Sequence, residues 1–215
     1  MKIPSELSQA YYEHLVSQGK RPQSVASFCL TWGLTEADFY EQYGSFSAIE
    51  GEFILQYFIT TIDQLESDPD YLSYDVGTKL LSVYFTWLAV MGEHRSFIKV
   101  VDRLAKPQLL GLPAYLVPVK EEFMDFVRRL LKQGLQSGEL SDRWVLSRYY
   151  KNLLWTNARF VLDYWLHDQS KSFERSDAAI EKSARFALDL IRPNAFDSGI
   201  DLVRFLVQNT KDSTR

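Results

Sequence analysis

The sequence predicts an all-α protein, and three observations carry that prediction. Apolar residues recur at three- and four-residue spacing along most of the chain, and no segment shows sustained strand alternation. Ten glycines and seven prolines in 215 residues are too few for a turn-rich sandwich or barrel. The periodic stretches are bounded by Ser/Thr-to-acid starts and by glycine stops, the punctuation of helices. A 46% hydrophobic composition supplies a sizeable core and excludes disorder as a description of the whole.

A first helix covers about residues 5–18 and stops at Gly19. Lys20-Arg21-Pro22 breaks the chain, and a short helix runs from about Ser24 to Trp32, ended by Gly33. Thr35 and Asp38 open another short helix that stops at Gly44, and Ser47 with Glu50 repeats the pattern to open a long one. The stripe Ile49, Phe53, Ile54, Tyr57, Phe58, Ile62, Leu65 buries one face of that helix over about five turns. Asp68-Pro69-Asp70 breaks the chain again. Residues 73–92 are apolar on nearly every face yet too short to span a membrane, which places this helix at the centre of a bundle. A shorter helix follows near 95–105, then a connection with Pro107 and Pro113, then helices over about 114–135, 142–167 and 174–191. A weaker one is expected at 198–207, with a frayed tail from Lys211.

The three short helices of the first 45 residues, with a tight Gly33-Leu34 turn, have the proportions of a helix-turn-helix. The stretch GKRPQSVASFCLTWGLTEADFYEQYGSFSAIEGEF carries this further. Ser24-Val25 opens the second helix, Phe28-Cys29 stands where an Ile-Ala pair is usual, and Gly33-Leu34-Thr35 makes the turn. Phe39-Tyr40 and Tyr43 fit a recognition helix, and Ser45 with Ile49 the start of helix four. On these residues the chain resembles the DNA-binding domain of the TetR family of bacterial transcriptional regulators. The run WLHDQSKSFERSDAAIEKSARFALDLI is similar to the end of some members. The resemblance implies a homodimer that places two recognition helices in successive major grooves, with a small molecule in the larger domain altering their spacing. The chain divides accordingly into a DNA-binding head, 1–46, and a ligand-binding and dimerisation unit, 47–215.

Candidate DNA contacts are Lys20, Arg21, Ser24, Thr35, Tyr40, Gln42 and Ser45. Lys20 and Arg21 supply phosphate contacts, Tyr40 reaches phosphate or a base, and Gln42 reads adenine or faces solvent, whereas Phe39 and Tyr43 go to the core of the head. Departures from the family count against tight binding. Phe46 replaces a lysine that would hold a phosphate, and the recognition helix carries Glu36, Asp38 and Glu41 with no basic residue. Acids in a first helical turn favour the dipole, which accounts for Glu36 and Asp38 but not for Glu41. Three basic against six acidic groups in residues 1–50 work against the phosphate neutralisation that dominates non-specific affinity.

In the larger unit, aromatic density predicts an apolar cavity for a small hydrophobic effector, lined by Tyr84, Trp87, Met91, Phe123, Val127, Trp155 and Tyr164, with Asn157 as the polar member of its stripe. A filled core is the competing reading of the same residues, and a satisfied core amide that of Asn157. Residues 146, 149, 150, 153, 154, 160, 161, 164 and 165 form one apolar stripe of helix 142–167. On the opposite face Arg159 and Asp163 have the i,i+4 spacing of a surface ion pair. Helix 174–191 carries Ala179, Ser183, Ala184 and Ala187, small residues that suit a close helix seam. The resemblance places the dimer contact on these two helices, and packing within one chain is the alternative.

No phosphate loop, nucleophile elbow or metal-binding histidine pair occurs, so no catalytic residue, cofactor or metal site is expected. The single Cys29 precludes an internal disulfide and fits a buried thiol in a reducing compartment. A net charge of −4, no membrane-length apolar run and no signal-like N-terminus fit a cytoplasmic protein. Two functions stay open: a ligand-responsive DNA-binding regulator, and a TetR-like fold that has lost DNA binding and holds a lipid or hydrophobic metabolite.

Overall fold

The computed structural model describes residues 5–105, 112–142 and 147–193. Among these the chain forms α1 (Glu6–Gln18), α2 (Val25–Trp32), α3 (Glu36–Gln42), α4 (Phe46–Glu66), α5 (Val76–Gly92), α6 (Arg95–Leu104), α7 (Val117–Ser137), α8 (Tyr150–His167) and α9 (Glu174–Asp189). The expected helix at 198–207, the tail, residues 106–111 and residues 143–146 lie outside the described residues, and a 3-10 turn at Ser147–Tyr149 leads into α8.

The starts and stops follow the local chemistry. Ser24 and Ser27 form a reciprocal capping box at α2, and Thr35 and Asp38 another at α3. Gly33 closes α2 with φ +67°, a conformation that costs a side-chain-bearing residue free energy, and its position lets α3 begin three residues later. Of the two starts open to α4, Ser45 rather than Ser47 is the cap, accepting from the Ala48 N–H. Starting there carries Phe46 inward, stacked on Tyr11 at 4.9 Å and edge-on to Phe28 and Phe39. That aromatic packing decides between two adjacent serines.

The head consists of α1–α3 and the first turns of α4. Behind it, α4 packs on α5, α7 and the turn at Ala114–Leu116, while α9 lies against α5 and α8. Leu80, Val83, Tyr84, Trp87 and Met91 of α5 are buried, as a bundle's central helix requires. Helix α6 lies against α1 and so links head and bundle.

Two close fits shape this bundle. A Cβ added at Gly134 of α7 would stand 2.5 Å from Leu140 Cγ and 2.9 Å from Val76 Cγ2. Gly134→Ala should therefore cost about 1–3 kcal/mol through overpacking, read as a lower urea midpoint at unchanged slope; an unmoved midpoint would show that the neighbours give way freely. At the other end, the α8–α9 connection holds Ser172 and Phe173 at φ +52° and +60°. The Phe173 ring packs on the Arg95 guanidinium at 4.5 Å, with Trp165 also against that group at 4.8 Å.

Candidate functional site

The head's core is aromatic: Tyr11, Phe28 and Phe39 are buried, and Cys29 sits with them at 2% exposure. Burial pushes the Cys29 thiol up, which keeps it protonated and inert. With Phe39 turned inward, the rest of α3 faces out. Tyr40 is 56% exposed, and Glu36, Glu41 and Gln42 are exposed beside it. Tyr43 is only half-buried, and its hydroxyl donates to Glu52 on α4. The neighbouring α2 shows solvent Leu30, 85% exposed, and Trp32.

Three of the candidate DNA contacts, Ser24, Thr35 and Ser45, are the caps of α2, α3 and α4, and all three are exposed. Thr35 also donates its hydroxyl to Asp38 at 2.6 Å, and that bond holds the Asp38 carboxyl below its usual range. Lys20 is exposed. Arg21 is engaged differently from a free phosphate contact. Its Nε and Nη2 donate to the two carboxylate oxygens of Glu50 at 2.8 and 2.6 Å, and Nη2 also to Ser47 Oγ at 3.2 Å. Glu50 is fully buried and takes a third bond, 2.7 Å, from the Tyr11 hydroxyl. The hydrogen bonds to Glu50 raise the Arg21 pKa further, so the guanidinium stays charged beside the buried carboxylate. Glu50 has the spacing of a partner for Ser47 at the α4 start, but it also stands three and four residues before Phe53 and Ile54 of the apolar stripe, which is the signal that it is buried.

The candidate effector residues fall into two groups. Tyr84, Trp87, Met91, Phe123 and Val127 are buried, and Trp155 is 6% exposed. The Phe123 ring joins them, 6.4 Å from Tyr84 and 5.5 Å from Trp155, and Phe58 bridges Trp87 and Phe123. The Tyr84 hydroxyl donates to the Leu154 carbonyl at 3.3 Å. Tyr164 is not brought to them. It is exposed and pairs with the exposed Phe160 at 5.9 Å. Asn157 is buried, and its Oδ1 and Trp87 Nε1 have no hydrogen-bond partner among the described residues.

The single stripe expected of α8 is thus two. Tyr150, Leu154, Asn157, Val161 and Trp165 face inward, whereas Tyr149, Phe160 and Tyr164 face out. On α9, Ala184 and Ala187 pack into the core of the chain itself, leaving Phe186 at 65% and Leu190 at 43% exposure. The expected Arg159–Asp163 pair does not form. His167 Nδ1 instead bonds the Asp163 backbone carbonyl at 2.8 Å and stands 3.6 Å from its carboxylate.

Helix α6 carries polar contacts that sequence reading did not single out. His94 at its cap meets the Tyr12 hydroxyl of α1 through Nδ1 at 3.1 Å and stacks on Tyr57 of α4 at 4.7 Å; burial lowers its pKa. Arg103 in its last turn donates to the Gly19 carbonyl at the end of α1, 2.6 Å away. None of these partners is near in sequence, so no local pattern announces them.

A head of three short helices, with the outer face of α3 in solvent, is set on a larger aromatic-cored helical bundle. Residues 79–206 match the tetracyclin repressor-like C-terminal domain, well over half the chain, and the protein belongs to the TetR family of transcriptional regulators. Solved structures share the fold. A chain from Shewanella sp. PV-4 described as a TetR family transcription regulator superposes with a TM-score of 0.53 at 13% identity, covering 87% of this chain and 97% of that one. A transcriptional regulator from Cytophaga hutchinsonii gives 0.53 at 14% identity over the same shares. A protein of unknown function from Rhodococcus sp. RHA1 gives 0.52 at 10%, covering 89% and 98%. No curated protein matches in sequence. Among the described residues no helix is long and apolar enough to cross a membrane, and no group of three or more His, Cys, Asp or Glu could hold a metal ion.

Proposed function

We propose that the protein is a dimeric, ligand-responsive transcriptional regulator that binds double-stranded DNA through residues 1–46. The observation that carries this reading is the outward face of α3. Phe39 anchors the helix inside, and Tyr40, Gln42 and the Thr35 cap are left on the solvent side, where a major groove would meet them. Lys20 and the caps Ser24 and Ser45 stand at positions suited to backbone phosphates. Arg21 acts mainly through Glu50, as a brace for the turn before α2. Two heads are held in register by the exposed Tyr164 of α8 and Phe186 of α9, meeting their copies in a partner subunit. A small hydrophobic effector is read by the aromatic group around Phe123, where Trp87 Nε1 and Asn157 Oδ1 hold unused hydrogen-bonding capacity.

The test is a gel-retardation selection against a random duplex library at low salt. We expect a retarded complex that weakens steeply as salt rises, with Tyr40→Ala lowering affinity at least tenfold and Phe186→Glu giving a monomer by sedimentation. Absence of any retarded species would remove the DNA-binding reading.

One observation favours a second function. With Arg21 neutralised by Glu50, the head's exposed charge is dominated by Glu36, Asp38 and Glu41. That arrangement suits a TetR-like fold that no longer binds DNA and carries a lipid or hydrophobic metabolite. Native mass spectrometry separates the two: a co-purifying apolar ligand in a protein without DNA affinity supports the carrier, and an empty protein that retards DNA overturns it.

A further inference from the structure

A hollow of about 470 Å³ opens between the end of α6, the turn at Ala114–Leu116 and α8, away from the aromatic group around Phe123. Its volume falls within the roughly 300–1,000 Å³ of small-molecule sites. Leu116, Leu162 and Leu166 form an apolar wall, each nearly buried by the fold. Three charged side chains share the space with them: Arg159, Asp102 and Asp163. Arg159 has neither a hydrogen bond nor an ion pair among the described residues, and the Asp163 carboxylate one turn along α8 lines the same hollow. Asp102 accepts the Tyr115 hydroxyl at 2.7 Å through Oδ1, which fixes its carboxylate at the rim.

We infer that this hollow binds an α-amino-acid zwitterion with an apolar side chain. The charges select that class. A simple anion would meet Arg159 but also two carboxylates, and a simple cation would leave the guanidinium uncompensated. A zwitterion satisfies both signs at once. Its carboxylate takes the paired donors of Arg159, whose planar fork matches a carboxylate. Its ammonium goes to Asp163, one helical turn along α8 from Arg159, or to Asp102 opposite. The apolar side chain lies along Leu116, Leu162 and Leu166. This site is separate from the aromatic core and does not require it to open.

The experiment is calorimetric titration of the full-length protein with L-leucine and L-phenylalanine, beside the N-acetyl form (anion only) and the amide (cation only) of each. Saturable binding of a free amino acid, at least tenfold weaker or absent for both derivatives, is the expected result. Arg159→Gln and Asp163→Asn should each weaken it at least tenfold at an unchanged melting temperature. Equal binding of the N-acetyl form, no binding of either amino acid, or wild-type affinity in Arg159→Gln would overturn the proposal. DNA retardation is read separately. A protein that retards DNA without binding amino acids keeps the regulator reading and loses this site, and the reverse outcome does the opposite.

Discussion

Replacing Arg95 with alanine is expected to destabilise the protein by about 3 kcal/mol, a sum of charged hydrogen bonds and ring stacking. Arg95 opens α6, yet its Nη2 donates to the Trp165, Leu166 and Asp168 carbonyls at 2.7, 3.2 and 3.0 Å, closing the C-terminal end of α8. A cation there complements the helix dipole, and the Trp165 and Phe173 rings pack against it. Without it, carbonyls at the end of α8 lose their partner and the left-handed Phe173 loses the group it packs on. For a chain of this length the loss should appear as a melting temperature lower by about 6–12 °C. Arg95→Lys should restore less than half, because an ammonium lacks the planar face. Wild-type melting of Arg95→Ala would refute the clamp.

The acid behaviour of the same junction has a definite sign. Burial pushes the Asp168 carboxyl up, but bonds from the Ser176 hydroxyl and from the Ser170 and Ser176 backbone outweigh it and hold the carboxyl well below its ordinary range. A folded value below the unfolded one adds stability that is complete above about pH 4 and disappears as pH falls through the folded value. The stability gap between wild type and Asp168→Asn should therefore narrow on acidification and stay constant from pH 5 to 7, measured by urea unfolding at each pH.

Arg21→Ala is expected to be the most damaging single change in the head, at about 3–5 kcal/mol. It leaves the Glu50 carboxylate fully buried with only the Tyr11 hydroxyl to solvate it. The opposite change is milder. In Glu50→Gln the Arg21 side chain, already 30% exposed, turns to water, and about 1–2 kcal/mol is lost. Urea unfolding of the two variants checks the order. Equal losses would mean that the pair acts as an ordinary surface bridge. Because Arg21 braces the turn before α2, the stability loss and any loss of DNA affinity should arrive together.

Much of the helical order could be read from the sequence, because its signals are local. The Ser24 and Thr35 caps, the Gly33 stop and the inward Phe39 depend on residues within four positions of each other. The rest depended on distant partners. No local pattern ties Arg21 to Glu50, 29 residues on, which takes two of its donors. Ser45 and Ser47 are equally good caps, and only the stacking of Phe46 on Tyr11 chooses between them. On α8 the apolar residues cover two faces, and periodicity cannot say which meets the bundle core. Arg159 and Asp163 have the spacing of a pair, but the acid stands by His167 instead. Leu30 stands almost fully in solvent on α2, and nothing in the structure accounts for it.

The course of α4 has a consequence for modularity. Its first turns give the head the buried Ile49 and Glu50, and its later turns give the bundle Ile54, Tyr57 and Phe58, with no flexible joint between. A graft cut at residue 46 would strand Arg21 and the Tyr11 hydroxyl without their acceptor, so a transplantable head must carry the helix through at least Glu50. The same unbroken helix joins the two parts, so a tilt at its far end would carry the head with it.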